Sequence, residues 1–98
     1  MAFAYIHEFE VGADRSTANY DAIGTRMRLA EDPVEGLILH TAGFDGGTFR
    51  MLEIWESPEH EQRFERERLM PAVRAIAGDG GTAPTTHSYE LHTVISGS

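Results

Sequence analysis

Two apolar segments flank a turn-forming dipeptide in the middle of the chain. Residues 36–44 and 48–56 are rich in Leu, Ile, Phe and Trp, and Asp45-Gly46 lies between them. An Asp-Gly pair between two apolar runs is a strong signal for a β-hairpin with a two-residue loop. Such a turn fixes which side chains share a face of the sheet. One face is then predicted to carry Ile38, His40, Ala42, Phe44, Phe49, Met51, Glu53 and Trp55.

The remaining elements surround this hairpin in a recognisable order. Residues 3–9 alternate as a strand, and Ser16 or Thr17 can cap a helix that extends to about residue 29. Ser57-Pro58-Glu59 opens a second helix, which Pro71 kinks or restarts before residue 77. A loop at residues 78–81 leads to a last strand at residues 87–95. The pattern predicts one α+β domain over residues 1–98, a ferredoxin-like β-α-β-β-α-β fold with a four-stranded antiparallel sheet.

Both faces of the central hairpin are apolar, because the face opposite His40 carries Leu37, Leu39, Thr41, Leu52 and Ile54. Two helices cover only one face of a four-stranded sheet. A second copy of the chain covers the other face most economically. We therefore expect a homodimer through the sheet faces.

The composition excludes several kinds of chemistry and partner. The 98 residues include no Cys and no Lys, so thiolate, Schiff-base and phosphate-loop lysine chemistry are absent. The net charge of −8 argues against nucleic acid and anionic membranes, and no apolar run is long enough to span a bilayer. We expect a cytoplasmic protein.

Three stretches together resemble a known family. They are residues 36–43, the Asp-Gly-Gly turn at residues 45–47, and Leu52-Glu53-Ile54-Trp55-Glu56-Ser57-Pro58-Glu59 leading to Phe64 and Leu69-Met70-Pro71. They resemble the dimeric α/β-barrel superfamily, and within it the antibiotic biosynthesis monooxygenase-like branch. The resemblance implies paired sheets and a pocket between each sheet and its helices. Some members are cofactor-independent oxygenases of aromatic polyketides, and others degrade haem or isomerise or cyclise small molecules.

The resemblance also implies positions for pocket residues. The strand-end Trp of family oxygenases and haem degraders lines the pocket, and Trp55 matches that position. Because alternate residues of a strand share a face, Glu53, Met51 and the paired His40 then lie on the pocket side as well. The Asn that helps oxygenases bind substrate has no counterpart, since Asn19 is the only Asn and begins a helix. The haem degraders use a His on the second helix, where His60 is the only candidate.

His40 and Glu53 form the most informative polar pair. A carboxylate beside an imidazole orients the ring and favours a general base for a phenol or an acidic C–H. The alternatives are a purely structural hydrogen-bonded pair and a Glu53 side chain that reaches solvent. We assign His40 and Glu53 as catalytic and expect substrate contacts from Trp55, His7, Met51, Phe64 and Tyr20. The alternative for Trp55 is a structural role in the core, although the resemblance favours the pocket, and the alternative for His7, which the sequence favours, is a buried structural histidine or an edge residue. The roles of His60, His87 and His92 stay open.

The predicted function is a small-molecule pocket protein that acts on a hydrophobic or aromatic, polyketide-like substrate as a cofactor-independent monooxygenase, isomerase or cyclase. No His spacing typical of a metal site occurs, so we expect no metal. The resemblance to cofactor-independent oxygenases implies that no cofactor is bound. The alternatives are a binding protein without turnover and a haem-binding or haem-degrading protein.

Overall fold

The computed structural model describes residues 1–80 and 83–97, which contain one four-stranded antiparallel sheet. The strands are β1 (Phe3–Glu10), β2 (Leu37–Asp45), β3 (Thr48–Trp55) and β4 (Thr85–Glu90). The helices are α1 (Ala18–Met27), α2 (Pro58–Phe64) and α3 (Met70–Ala77). The strand order is β2-β3-β1-β4, with α1 between β1 and β2 and the other helices between β3 and β4. The predicted ferredoxin-like α+β fold is confirmed.

The central hairpin forms as predicted, with its loop displaced by one residue. Asp45 pairs with Thr48, so the loop is Gly46-Gly47 instead of Asp45-Gly46. Gly46 has a φ of 58°, a left-handed conformation that glycine adopts without steric cost. The displacement preserves the parity of the two strands and sets His40 directly opposite Glu53.

The ends of two strands differ from the sequence prediction. The pairing of β2 shifts between Leu37 and Leu39, so Ile38 is the extra residue of a bulge and does not continue the His40 face. Strand β4 ends at Glu90, which leaves His92 outside the strand. The predicted loop at residues 78–81 begins as a 3₁₀ turn at Gly78–Gly80, and its last residue lies outside the described residues.

The second helical region, which Pro71 was predicted to kink or restart, continues through a change of helix type just before Pro71. A π-helical segment, Glu65–Leu69, joins α2 to α3, and Pro71 lies in the first turn of α3. Proline has no N–H and its ring clashes with the carbonyl four residues earlier, so a locally widened helix accommodates it. The start matches the prediction, because Ser57 Oγ accepts a hydrogen bond from the His60 backbone N–H (3.3 Å).

The helices cover the face of the sheet that carries Trp55 and His40. The Trp55 ring packs against Phe64, with ring centroids 5.4 Å apart, and Tyr20 of α1 contacts His40. On the opposite face, Leu39 and Tyr89 are 45% and 51% exposed. No helix within the described residues is long and apolar enough to cross a membrane.

Candidate functional site

Glu53 is the centre of the polar cluster under the helices. It lies on the middle strand β3, between Tyr5 of β1 and His40 of β2, and it is only 7% exposed. Both neighbours come from the sheet register, which sets three side chains of the same face in one row. A carboxylate this buried requires hydrogen-bond donors.

Three donors surround the Glu53 carboxylate. His40 Nδ1 lies 2.8 Å from Oε2, the Trp55 indole N–H donates to Oε1 at 3.1 Å, and His7 Nε2 lies 3.4 Å from Oε1. Burial acts to raise the pKa of Glu53, but these hydrogen bonds outweigh it and lower the pKa from 4.5 to about 2. Glu53 is therefore ionised at neutral pH.

The charge on Glu53 fixes the tautomer of His40. An ionised carboxylate only accepts hydrogen bonds, so His40 Nδ1 carries a proton and donates it to Glu53. In the neutral imidazole, Nε2 is then an acceptor, and the Tyr20 hydroxyl donates to it at 2.6 Å. The result is a hydrogen-bond relay, Tyr20–His40–Glu53, that runs from α1 to the middle of the sheet.

The outer end of this hydrogen-bond relay is accessible to solvent. The His40 side chain is 31% exposed and the Glu53 side chain 10% exposed. Tyr20 is half-buried. Burial, and to a smaller extent the negative charge of Glu53, raise the pKa of its hydroxyl. Tyr20 therefore keeps its proton at neutral pH and presents a hydroxyl at the surface end of the hydrogen-bond relay.

The other predicted contact residues lie on the same face with different degrees of access. Trp55 is completely buried, so its ring surface is covered by the protein. His7 and Met51 face each other across β1 and β3, and His7 Nδ1 lies 2.9 Å from Thr86 Oγ1. Phe64 covers one side of Trp55. The structure thus brings every predicted site residue to the layer between the sheet and the helices.

Two surface clefts lie away from this row of residues. A cleft of about 190 Å³ beside α2 is lined by Glu35, His60, Arg63 and neighbouring residues, and a second is lined by Met27, Arg68 and Pro71 among others. Neither cleft includes His40, Glu53 or Trp55, but Phe64, a predicted contact residue, lines the first cleft. His60 Nδ1 lies 2.7 Å from Ser57 Oγ, and His87 is exposed on β4.

Glu61 is a buried acidic residue that sequence reasoning did not select. It lies on α2, is 3% exposed, and has its pKa raised to about 8 by burial and by the nearby carboxylates of Glu65 and Glu53. The alternation of Glu and Arg along this helix is typical of a solvated face, which concealed that Glu61 points inward. Only the helix packing distinguishes it from its exposed neighbours.

Solved structures share this fold at low sequence identity. A presumed antibiotic biosynthesis monooxygenase from Chloroflexus aurantiacus has a TM-score of 0.69 and 15% identity, with 98% of each chain covered. A protein of unknown function from Nitrosomonas europaea has a TM-score of 0.70 and 18% identity, covering 99% of this chain and 95% of that chain. SnoaB, a cofactor-independent oxygenase from Streptomyces nogalater, has a TM-score of 0.61 and 12% identity, with 96% of each chain covered.

No protein-family profile and no curated protein sequence matches the chain. The structural similarities define a ferredoxin-like α+β protein. Within that class, the chain has the fold of antibiotic biosynthesis monooxygenase-like proteins, which confirms the resemblance in fold. One fold supports many activities, so the function must be argued from the side chains of the site.

Proposed function

We propose that the chain is a cofactor-independent monooxygenase whose base is His40, acting on an aromatic substrate with an acidic hydroxyl or C–H group. The observation that carries this proposal is the position of His40, held between the ionised Glu53 and the Tyr20 hydroxyl. This arrangement presents an acceptor nitrogen toward α1 and stabilises the imidazolium that forms when His40 takes a proton.

The proposed reaction begins when the substrate loses a proton to the hydrogen-bond relay at Tyr20, its surface end. The substrate proton reaches His40 Nε2 through Tyr20, which accepts it as it releases its own proton to the imidazole. The electron-rich substrate anion then reduces O₂. One oxygen atom enters the substrate, and the other leaves as water with the abstracted proton and a second substrate proton. No organic cofactor is required, because the substrate itself supplies the electrons.

Oxygen uptake with a hydroxylated polycyclic aromatic compound tests this proposal. We expect uptake with the natural chain and almost none with His40→Ala, whereas His87→Ala, which alters an exposed histidine of β4, retains full activity. Equal activity of His40→Ala and the natural chain would refute the assigned base. Tight binding without oxygen uptake would identify a binding protein, and a Soret band on addition of haem would identify a haem binder.

We also propose that the chain forms a homodimer through the face of the sheet opposite the helices. Leu39 and Tyr89 of this face are half-exposed, and desolvating such apolar side chains favours association. Leu39→Asp is expected to give a monomer in analytical ultracentrifugation, whereas Ile76→Asp, at a partly exposed position on α3, leaves the dimer intact. A monomeric natural chain would overturn this proposal.

The expected cytoplasmic location stays a prediction.

A further inference from the structure

A second cluster of ligand-type atoms lies on the side of Glu53 that faces away from His40. One atom each from His7, Glu53 and Glu61 can be chosen so that all three lie within 4.8 Å of one another. The three residues come from β1, β3 and α2, so their proximity is invisible in the sequence. Both Glu53 and Glu61 are buried.

The Glu61 side chain is the independent observation that points to a bound cation. Glu61 is 97% buried, one of its carboxylate oxygens lies in the cluster with His7 and Glu53, and its carboxyl group shares a hydrogen bond with Glu65. Its polar neighbours include two further carboxylates, Glu53 and Glu65. Burying acidic groups together without a compensating positive charge is unfavourable, so either a proton or a cation must accompany Glu61.

The orientation of His7 suits metal coordination. In the metal-bound state, Thr86 Oγ1, 2.9 Å from Nδ1, would accept the Nδ1 proton, so that Nε2 gives up its hydrogen bond to Glu53 and directs a lone pair at the ion. The Nε2–Oε1 distance to Glu53 is 3.4 Å, which is long for a hydrogen bond to a carboxylate. It equals the separation of about 3.4 Å between two ligands of a tetrahedral zinc ion.

We propose that His7, Glu53 and Glu61 bind a divalent transition-metal ion, with Zn²⁺ as the best match. One imidazole nitrogen and two carboxylates form a ligand set that zinc accepts, and a water molecule or the Glu65 carboxylate would complete a tetrahedron. Because all three atoms already lie within 4.8 Å of one another, Glu61 must approach the other two ligands by at most about 1.4 Å to reach ordinary zinc distances.

The ion and the proposed proton chain use different atoms of Glu53. Oε2 contacts His40, whereas Oε1 lies nearest His7. The ion would therefore hold Glu53 through Oε1, on the side away from His40. No proton of the proposed reaction passes through the ion. Zinc binding is measurable without any substrate, so this proposal and the proposed function can fail separately.

Zinc titration of the full, EDTA-treated chain tests the site. We expect one zinc ion per chain by elemental analysis after desalting, together with a higher midpoint of thermal unfolding. His7→Gln and Glu61→Gln should each weaken binding at least about tenfold. The matched controls are His87→Gln on β4 and Glu59→Gln, an exposed residue of α2, and both should bind zinc like the natural chain.

Two results would overturn the proposal. One is a natural chain that retains no zinc after desalting and shows no thermal shift, which would mean that a proton accompanies Glu61. The other is retention of zinc at natural affinity by both His7→Gln and Glu61→Gln, which would place the ion elsewhere. If Glu61→Gln does not fold, the comparison of His7→Gln with His87→Gln decides the matter alone.

Discussion

His40 Nδ1 lies 2.8 Å from Glu53 Oε2, and the two residues are direct partners across β2 and β3. The sheet register therefore holds the imidazole, and no loop has to move to form the pair. The carboxylate needs this contact because it is buried, and the imidazole gains a defined tautomer from it. The same contact thus supports the fold and prepares the proposed base.

Acid should weaken the contribution of Glu53 to stability. The pKa of Glu53 is about 2 in the folded chain against an ordinary value of 4.5, so its ionised form stabilises the fold above pH 4.5 and this stabilisation disappears as the pH falls toward 2. The shift corresponds to about 3 kcal/mol.

Urea unfolding of the EDTA-treated natural chain and of Glu53→Gln checks this expectation. The stability gap between them should be largest near pH 7 and should shrink steadily below pH 4.5. A gap of constant size between pH 7 and pH 2.5 would contradict the proposed charge of Glu53. Glu56→Gln, at an exposed position just beyond β3, serves as the control and should show no comparable gap.

Tyr20→Phe should separate proton transfer from folding. The substitution removes the hydroxyl that donates to His40 Nε2 but keeps the ring that packs against Phe49. We expect the turnover number for oxygen uptake to fall by about 10²-fold, while stability changes by about 1 kcal/mol. Tyr89→Phe removes a hydroxyl from the opposite, proposed dimer face, far from His40, keeps the ring there and should leave turnover unchanged. Full activity of Tyr20→Phe would show that substrate reaches His40 directly.

Trp55→Phe should lower stability through two losses. The variant leaves a void beside Phe64 and removes the N–H that donates to Glu53 Oε1. We expect a loss of about 2–4 kcal/mol in urea unfolding. The natural chain should also show blue-shifted tryptophan fluorescence with little acrylamide quenching, because Trp55 is fully buried. Strong quenching in the folded chain would be inconsistent with this packing.

Gly36→Ala should destabilise the approach to β2. Gly36 has a φ of 84°, and an added Cβ would collide with the His60 ring. Left-handed strain and overpacking together should cost about 2–4 kcal/mol. Gly43→Ala is the matched control, because Gly43 has open space around its Cα and no positive φ. Equal stability of the two variants would argue against the close contact of Gly36 with α2.

The sequence predicted the elements whose signals are local. The apolar runs around Asp45-Gly46 indicated the hairpin, and Ser57-Pro58 indicated the start of α2, because turn and capping preferences act over a few residues. Parity along β2 and β3 then placed His40, Glu53 and Trp55 on one face. Less was predictable where tertiary contacts act, as at the Ile38 bulge and at the π-helical segment before Pro71.

By itself, therefore, the sequence determined the order of strands and helices and the face on which the polar residues lie. Alternation and turn chemistry depend only on neighbouring residues, so both could be derived without coordinates. Only the tertiary structure decided that Tyr20 contacts His40, that Trp55 is closed to solvent, and that Glu61 points inward beside His7. These facts depend on how α1 and α2 pack on the sheet, and that packing depends on residues far apart in the chain.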